Sequence, residues 1–253
     1  MMRNQAQTFR LPEIRDKRPK VATLLLNQNK FYPDGRPRPY AGNTIICHLP
    51  QQGEQSSFFN VLLDMYRDVL AQGFSGKLAL LPPSSYHMTV LDGLNDGLRT
   101  RPSWPEALAR TAPMPSCDQW VKDRLGTFHY GLDLPIRMRP ARPDPSYDGK
   151  IPHIRLEPAD HVQERMLAGL RHALAAHMGM KEPRPGSYVF HTTLAYQVRS
   201  FADHEAAEFT RFMMQWQDVM NRTMPEIRLG APELCFFSDM YAYHRQFFHH
   251  MIA

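Results

Sequence analysis

Two short stretches, one in each half of the chain, repeat the same alternation of polar and apolar residues. They are Tyr86-His87-Met88-Thr89-Val90-Leu91 and Phe190-His191-Thr192-Thr193-Leu194-Ala195, and each reads aromatic, His, any residue, Thr, apolar. Such alternation predicts a β-strand, in which residues i and i+2 point to the same side. We therefore expect the His and the Thr of each stretch to share one face, with more apolar neighbours behind them.

The apolar periodicity predicts the same order of elements ahead of both stretches. In the first half a strand over 43–49 precedes a helix that begins at Ser56 or Ser57. In the second half a strand over 151–157 precedes a helix capped by Asp160, with Gln163 at capping-box spacing. The predicted buried sides of these helices are Phe58, Val61, Leu62, Met65, Val69 and Leu70 in the first, and Val162, Met166, Leu167, Leu170 and Leu174 in the second. The matched order indicates a duplicated unit.

The same patterns predict several further elements. We expect a strand over 77–81, the motif strands over 86–91 and 188–198, a short helical piece at 103–106, and a helix that begins at Asp203. Residues 137–142 are expected to form a strand end or a loop edge, and 232–248 a strand or hairpin. A helix that begins at Ser116 is predicted to bury Trp120, Val121, Leu125 and Phe128.

We interpret residues 1–253 as a single bilobal domain. Residues 1–20 are charged and contain two prolines, which is typical of a loose arm. The lobe-forming repeats cover about 43–93 and 151–198, and a Pro-rich insertion covers about 94–150.

Composition narrows the class of protein. The chain is 43% hydrophobic and 22% charged, as in an ordinary globular protein, and its net charge of +5 suits an anionic substrate. It lacks the dense Lys/Arg stripe of a dedicated nucleic-acid binder. The three cysteines are widely spaced without a Cys-x-x-Cys pair, which argues against a disulfide scaffold or zinc site and favours a reducing compartment. With no long apolar segment near the N-terminus, we expect a cytoplasmic protein without a membrane association.

The paired motifs carry the candidate chemistry. Two motif strands laid side by side would form a pocket with two imidazoles and two hydroxyls. Because imidazole has an ordinary pKa near 6.5, one ring can accept a proton while the other donates one at neutral pH. This combination suits acid/base catalysis at a phosphate.

At these residues the sequence resembles the two-histidine (2H) phosphoesterase superfamily. That group includes RNA 2′,3′-cyclic phosphodiesterases historically called 2′-5′ RNA ligases, other cyclic nucleotide phosphodiesterases, and nucleotide-binding domains of kinase-anchoring proteins. Met88 inside the first motif and Leu91-Asp92-Gly93 after it are similar to an uncharacterised microbial subgroup. The likeness of the strand-helix-strand plan extends from about residue 43 to 245.

The resemblance implies an α+β fold of two pseudo-symmetric lobes, with antiparallel sheets that form a central cleft and helices on the outside. It implies that His87 and His191 are catalytic and that Thr89 and Thr193 bind phosphate. The implied reaction is hydrolysis of a cyclic phosphate or 2′-5′ phosphodiester of a nucleotide or RNA end, with no metal, no cofactor and no obligatory protein partner.

Three further residues are candidates for substrate contacts. Tyr86 flanks the first motif, and Arg38 and Tyr40 belong to a turn-rich loop over 30–42 that could reach a phosphate or a base.

Three other functions compete with hydrolysis by two histidines. The same pocket could hold a nucleotide without turnover. A metal hydrolase is the second, suggested by other histidine pairs such as His172 with His177, although their spacing is not that of a helical metal motif. A nucleic-acid-binding protein without catalysis is the third, and it predicts a steep dependence of affinity on salt.

Overall fold

The computed structural model describes residues 29–99, 104–144, 151–182 and 184–248, so the predicted arm at 1–20 lies outside the described residues. Within these ranges the chain forms ten strands and four α-helices. The strands are β1 Gly42–His48, β2 Leu78–Leu80, β3 His87–Asn95, β4 Ile136–Pro140, β5 His153–Pro158, β6 Phe190–Thr193, β7 Ala195–Gln197, β8 Ile227–Leu229, β9 Glu233–Phe237 and β10 His244–Phe248. The helices are α1 Ser57–Leu70, α2 Met114–Leu125, α3 His161–His177 and α4 Asp203–Thr223.

Eight strands form one antiparallel sheet in the order β10-β9-β1-β3-β6-β5-β4-β8. The order divides into two four-stranded halves that meet where β3 pairs with β6, with Met88 opposite Thr192. A separate two-stranded sheet pairs β2 with β7. The predicted α+β class is confirmed, and the two antiparallel halves join edge to edge in one sheet.

The helices pack on the sheet through the apolar stripes that the periodicity predicts. Asp160 caps α3, since its carboxylate accepts hydrogen bonds from the backbone N–H groups of Val162 and Gln163. Two residues assigned to the buried stripes are instead exposed: Leu70 is 57% exposed and Val162 56%. Each lies directly beside a buried residue, Val69 or Gln163, and therefore points away from the buried side of its helix.

Several elements differ from the sequence prediction. The strand expected over 188–198 is split into β6 and β7 at Leu194, and β8 is a three-residue strand that the pattern did not reveal. Residues 104–112 form turns rather than a helical piece, and Trp120 is only half-buried. The C-terminal hairpin is confirmed as β9 and β10. The three cysteines are free and buried.

No helix in the described ranges has both the length and the apolar character needed to cross a bilayer.

Strand β3 contains a β-bulge directly after its motif. Adjacent residues Ile45 and Ile46 of β1 pair with Leu91 and Thr89, so Val90 is an extra residue on β3. The extra residue reverses the alternation of side chains. Asp92 therefore points to the same face as Thr89, as its pairing with Thr44 confirms.

Buried Arg171 of α3 supports this bulge. Its side chain is 2% exposed, and its guanidinium donates to the Val90 carbonyl oxygen. It also forms an ion pair of 3.4 Å with Glu182 and lies 3.6 Å from the centre of the Tyr188 ring. The guanidinium thus satisfies a carbonyl that the irregular strand leaves exposed to the core.

We expect Arg171→Met to lower the free energy of unfolding by about 2–4 kcal/mol, because it leaves the Val90 carbonyl and the Glu182 carboxylate without this cation. Arg165→Met is the matched control, since Arg165 is exposed on the same helix and its loss should cost less than about 0.5 kcal/mol. Urea denaturation of both variants measures the difference, and equal stabilities would show that the bulge does not depend on Arg171.

Candidate active site

The two motif histidines and threonines lie together on one face of the sheet, which we call the cleft face. Because β3 and β6 run antiparallel with Met88 opposite Thr192, the register places His87 opposite Thr193 and Thr89 opposite His191. Directly opposed side chains have Cβ atoms about 4.5–5.5 Å apart, and diagonal ones about 7–8 Å apart. The two imidazoles are therefore diagonal across one strand pair.

Both imidazoles are held in the same way. Nδ1 of His87 lies 2.7 Å from the Ser85 carbonyl oxygen, and Nδ1 of His191 lies 2.9 Å from that of Val189. In each case the acceptor is two residues earlier in the chain. A carbonyl can only accept, so Nδ1 carries the hydrogen and Nε2 of each neutral ring is left with its lone pair.

Burial disfavours the charged form of both rings. Desolvation lowers the pKa of His87 to about 4, and the nearby His48, His191 and Lys30 act in the same direction. The pKa of His191 is also lowered, chiefly by desolvation and further by Arg184 and Lys30, while the Val189 carbonyl and Asp92 oppose the shift. The two sites are equivalent in geometry and unequal in charge.

Two more histidines stand on the strands that flank the motif pair. His48 of β1 pairs with His87, and the centres of their rings are 6.4 Å apart. His153 of β5 pairs with Thr193, and the centre of its ring is 4.6 Å from that of the His191 ring. His153 is only 3% exposed, and burial lowers its pKa well below the ordinary value. The two motifs do not predict that His48 or His153 belongs to the site, although each is the one histidine of its predicted strand.

Lys30 brings a positive charge close to both motif histidines. Its Nζ donates to the Tyr196 hydroxyl over 3.3 Å, and it lies over the Tyr40 and Tyr196 rings at 5.4 and 4.9 Å. Burial by itself would lower the pKa of Lys30, but Tyr196, Tyr40 and Asp92 together raise it above its ordinary value. The ammonium therefore stays charged, and no carboxylate in the described part of the chain lies within ion-pair distance of it.

Tyr243 closes the site beside His87. Its ring centre is 4.4 Å from that of His87, at an angle of 64°. It directly precedes β10, so the C-terminal strand completes a site that the motif strands begin.

The predicted substrate contacts have different outcomes. Tyr86 is 1% exposed and packs against Phe59 on the core side, which corrects the expectation that it touches a substrate. Strand alternation explains this, since Tyr86 is the neighbour of His87 and points the opposite way. The Arg38 guanidinium lies over Tyr32 at 4.2 Å and donates to the Phe31 carbonyl. Tyr40 donates to Asn95 over 2.8 Å and forms part of the surroundings of Lys30.

One group of potential metal ligands occurs in the described ranges. Single ligand atoms of His48, Glu233 and Cys235 lie within 4.8 Å of one another, beside His87. Glu233 also forms an ion pair with Arg245, so a metal ion would compete with this guanidinium for the Glu233 carboxylate.

Comparisons with known proteins bear on the family and the fold of the chain. Residues 30–146 match a family model described as 2H-phosphodiest, a domain of unknown function (DUF1868), and this segment includes the first motif. A crystal structure of a conserved protein of unknown function from Agrobacterium tumefaciens strain C58 shares the fold, with a TM-score of 0.77, 24% identity, and coverage of 87% of this chain and 90% of that one. No curated protein matches the chain.

We expect the free energy of unfolding to fall as the pH is lowered from 7 to 5. The pKa values of His87, His153 and His191 lie below 6.5 in the folded chain, so the unfolded chain binds more protons in this range. With a folded pKa of about 4, His87 alone should account for a loss of up to about 2 kcal/mol, less where solvent screens the ring.

Urea denaturation at both pH values measures this loss. His153→Gln should reduce the difference between the two, whereas His161→Gln, at a side chain that is 92% exposed, should leave it unchanged. Equal stability at pH 5 and 7 would contradict the buried neutral state of these rings.

Proposed function

Because the chain belongs to the two-histidine phosphoesterase superfamily, we propose that it is a metal-independent phosphoesterase. Its proposed substrate is a cyclic phosphate or a 2′-5′ phosphodiester of a nucleotide or an RNA end. The observation that carries the proposal is the diagonal pair of imidazoles on β3 and β6, each with Nδ1 at a backbone carbonyl and a threonine opposite.

The geometry supports transfer of two protons at one phosphorus. Hydrolysis requires a base that takes a proton from water and an acid that protonates the departing oxygen. The Nε2 atoms of His87 and His191 supply these groups from two sides of the strand pair. Thr89 and Thr193 occupy the other diagonal of the same strand pair, from which their hydroxyls would donate to the non-bridging phosphate oxygens and hold the phosphorus in place.

We infer the two roles from the directions of the two pKa shifts and from the position of Asp92. Desolvation, with Lys30 nearby, lowers the His87 pKa to about 4, so its ring stays neutral and acts as the base. Asp92 on the cleft face opposes the lowering of the His191 pKa, so His191 is the ring that more readily carries a proton and acts as the acid.

Lys30 and Asp92 also fit a substrate of low charge. A cyclic phosphate or a phosphodiester carries one negative charge, which the ammonium of Lys30 can balance. The Asp92 carboxylate disfavours a second anionic group and can accept a hydrogen bond from a ribose hydroxyl.

We expect His87→Gln and His191→Gln each to lower kcat/KM by about 10²–10⁴-fold, because each removes one proton-transfer group. Thr89→Val and Thr193→Val should have smaller effects, about 10–100-fold, since each removes one hydrogen bond to a charged oxygen. Product release from 2′,3′-cyclic nucleotides and from a 2′-5′-linked dinucleotide measures turnover.

His161→Gln, far more exposed, should match the wild type and serves as the control. Activity retained in either motif-histidine variant would contradict the mechanism. If cyclic nucleotides raise the thermal unfolding temperature of the wild type but give no product, the pocket is a nucleotide-binding module instead.

The pH profile of kcat/KM tests the assignment of roles, because it reports the free enzyme. Activity should rise as pH increases through the His87 pKa of about 4, where the base loses its proton. It should fall as pH increases through the His191 pKa, which is lowered from 6.5, so the maximum lies on the acidic side of neutrality. Asp92→Asn should move the falling limb to lower pH. A falling limb that Asp92→Asn does not move would overturn the assignment of His191 as the acid.

A further inference from the structure

A third imidazole faces the motif pair from the neighbouring strand. His48 of β1 pairs with His87 of β3, so both side chains are on the cleft face, and their rings meet at 70° with centres 6.4 Å apart. The His48 side chain is 19% exposed although its Nδ1 is buried. The accessible part of the ring is therefore the side away from Nδ1, which includes Nε2.

A carboxylate lies behind this ring. Oε1 of Glu233 on β9 is 3.1 Å from Nδ1 of His48, and the Glu233 side chain is 4% exposed. Its other oxygen, Oε2, forms an ion pair with Nε of Arg245 on β10, whose side chain is 47% exposed. Burial by itself would raise the Glu233 pKa, but the contacts with His48 and Arg245 hold it below its ordinary value. Glu233 is thus a buried carboxylate with a histidine on one side and a guanidinium on the other.

This support differs from that of the motif histidines. His87 and His191 direct Nδ1 at neutral carbonyl groups, whereas His48 directs Nδ1 at a charged carboxylate. A carboxylate behind an imidazole fixes the ring orientation and stabilises the imidazolium when a second anion reaches the other nitrogen.

We propose that His48 is a substrate-binding residue of the cleft, held by Glu233 and Arg245 so that its Nε2–H donates to a non-bridging oxygen of the phosphate beside His87. The proposal rests on the proposed function for the identity of the substrate. In the complex both ring nitrogens of His48 would face anionic oxygens, Glu233 on one side and phosphate on the other.

A metal ion held by His48, Glu233 and Cys235 is the competing explanation of the same cluster. One observation favours the contact of His48 with Glu233, at ion-pair distance, over a bound metal ion. The Arg245 guanidinium already neutralises Glu233, so a metal ion would meet a positive charge at one of its ligands.

The experiment compares substitutions of His48, Glu233 and Cys235 in the full chain, each checked by thermal unfolding, with 2′,3′-cyclic nucleotides as substrate. His48→Ala should lower kcat/KM about 10–100-fold, mainly through a higher KM, because it removes a hydrogen bond to a charged group. His48→Gln, whose amide can donate from a similar position, should recover part of the loss. Glu233→Gln should give a smaller loss, and adding it to His48→Ala should cost nothing more, since Glu233 acts through His48. Arg245→Gln replaces Glu233→Gln if the latter does not fold.

Cys235→Ser is the matched control and should behave as the wild type, with or without prior exhaustive chelation. Loss of activity in Cys235→Ser, or in the chelated wild type, would overturn the proposal in favour of a metal site. Wild-type KM in His48→Ala would overturn it as well, and would leave hydrolysis by His87 and His191 standing.

A readout independent of turnover separates the two proposals. In ¹⁵N-histidine NMR, the Nε2 signal of His48 is identified as the one that is missing from the spectrum of His48→Gln. Inorganic phosphate should shift this signal in the wild type, and the shift should be smaller in Glu233→Gln. If that shift occurs but no cyclic nucleotide is hydrolysed, the binding role of His48 stands and the proposed hydrolysis fails. If phosphate leaves the His48 signal unchanged, the binding role is wrong whatever the activity.

Discussion

The antiparallel pairing of β3 with β6 joins the two halves of the sheet and brings together histidines from distant parts of the chain. The register with Met88 opposite Thr192 buries these two side chains and turns the four motif residues to the cleft face. A slip by one residue would exchange the two faces and place the imidazoles in the core. The fold and the site therefore depend on the same strand pair.

Both motif strands also lose their regular alternation just after the threonine. In β3 the bulge at Val90 turns Asp92 to the cleft face, and in the second half the break at Leu194 allows Tyr196 to meet Lys30. Asp92 and Tyr196 occupy corresponding positions, each five residues after its motif histidine. Asp92 carries a carboxylate, whereas Tyr196 is a hydrogen-bond partner of the Lys30 ammonium, so the two corresponding positions bring unequal charges to the two imidazoles.

Much of this arrangement can be predicted from alternation alone, because a period of two determines which neighbours share a face. The pattern correctly grouped each His with its Thr, and the same rule, applied to Tyr86, would have placed that ring in the core. It could not reveal His48 or His153 as members of the site, since they depend on which strands pair and in what register. Lys30 reaches the site from a loop, and Asp92 reaches it because of the β-bulge. The alternation of polar and apolar residues therefore predicts neither of them.

In the proposed mechanism, the electrostatics of the cleft face would give the substrate itself a part in the reaction. Desolvation keeps both motif imidazoles neutral near pH 7, yet one of them must be charged to act as an acid. Lys30 is the charge already present, and it attracts an anion while it opposes a proton on His87. A bound phosphate adds negative charge between the rings and so favours protonation, most readily at His191, where Asp92 already acts in that direction. Under the proposed mechanism, the acid would be completed when the substrate arrives, which would couple proton uptake to occupation of the site.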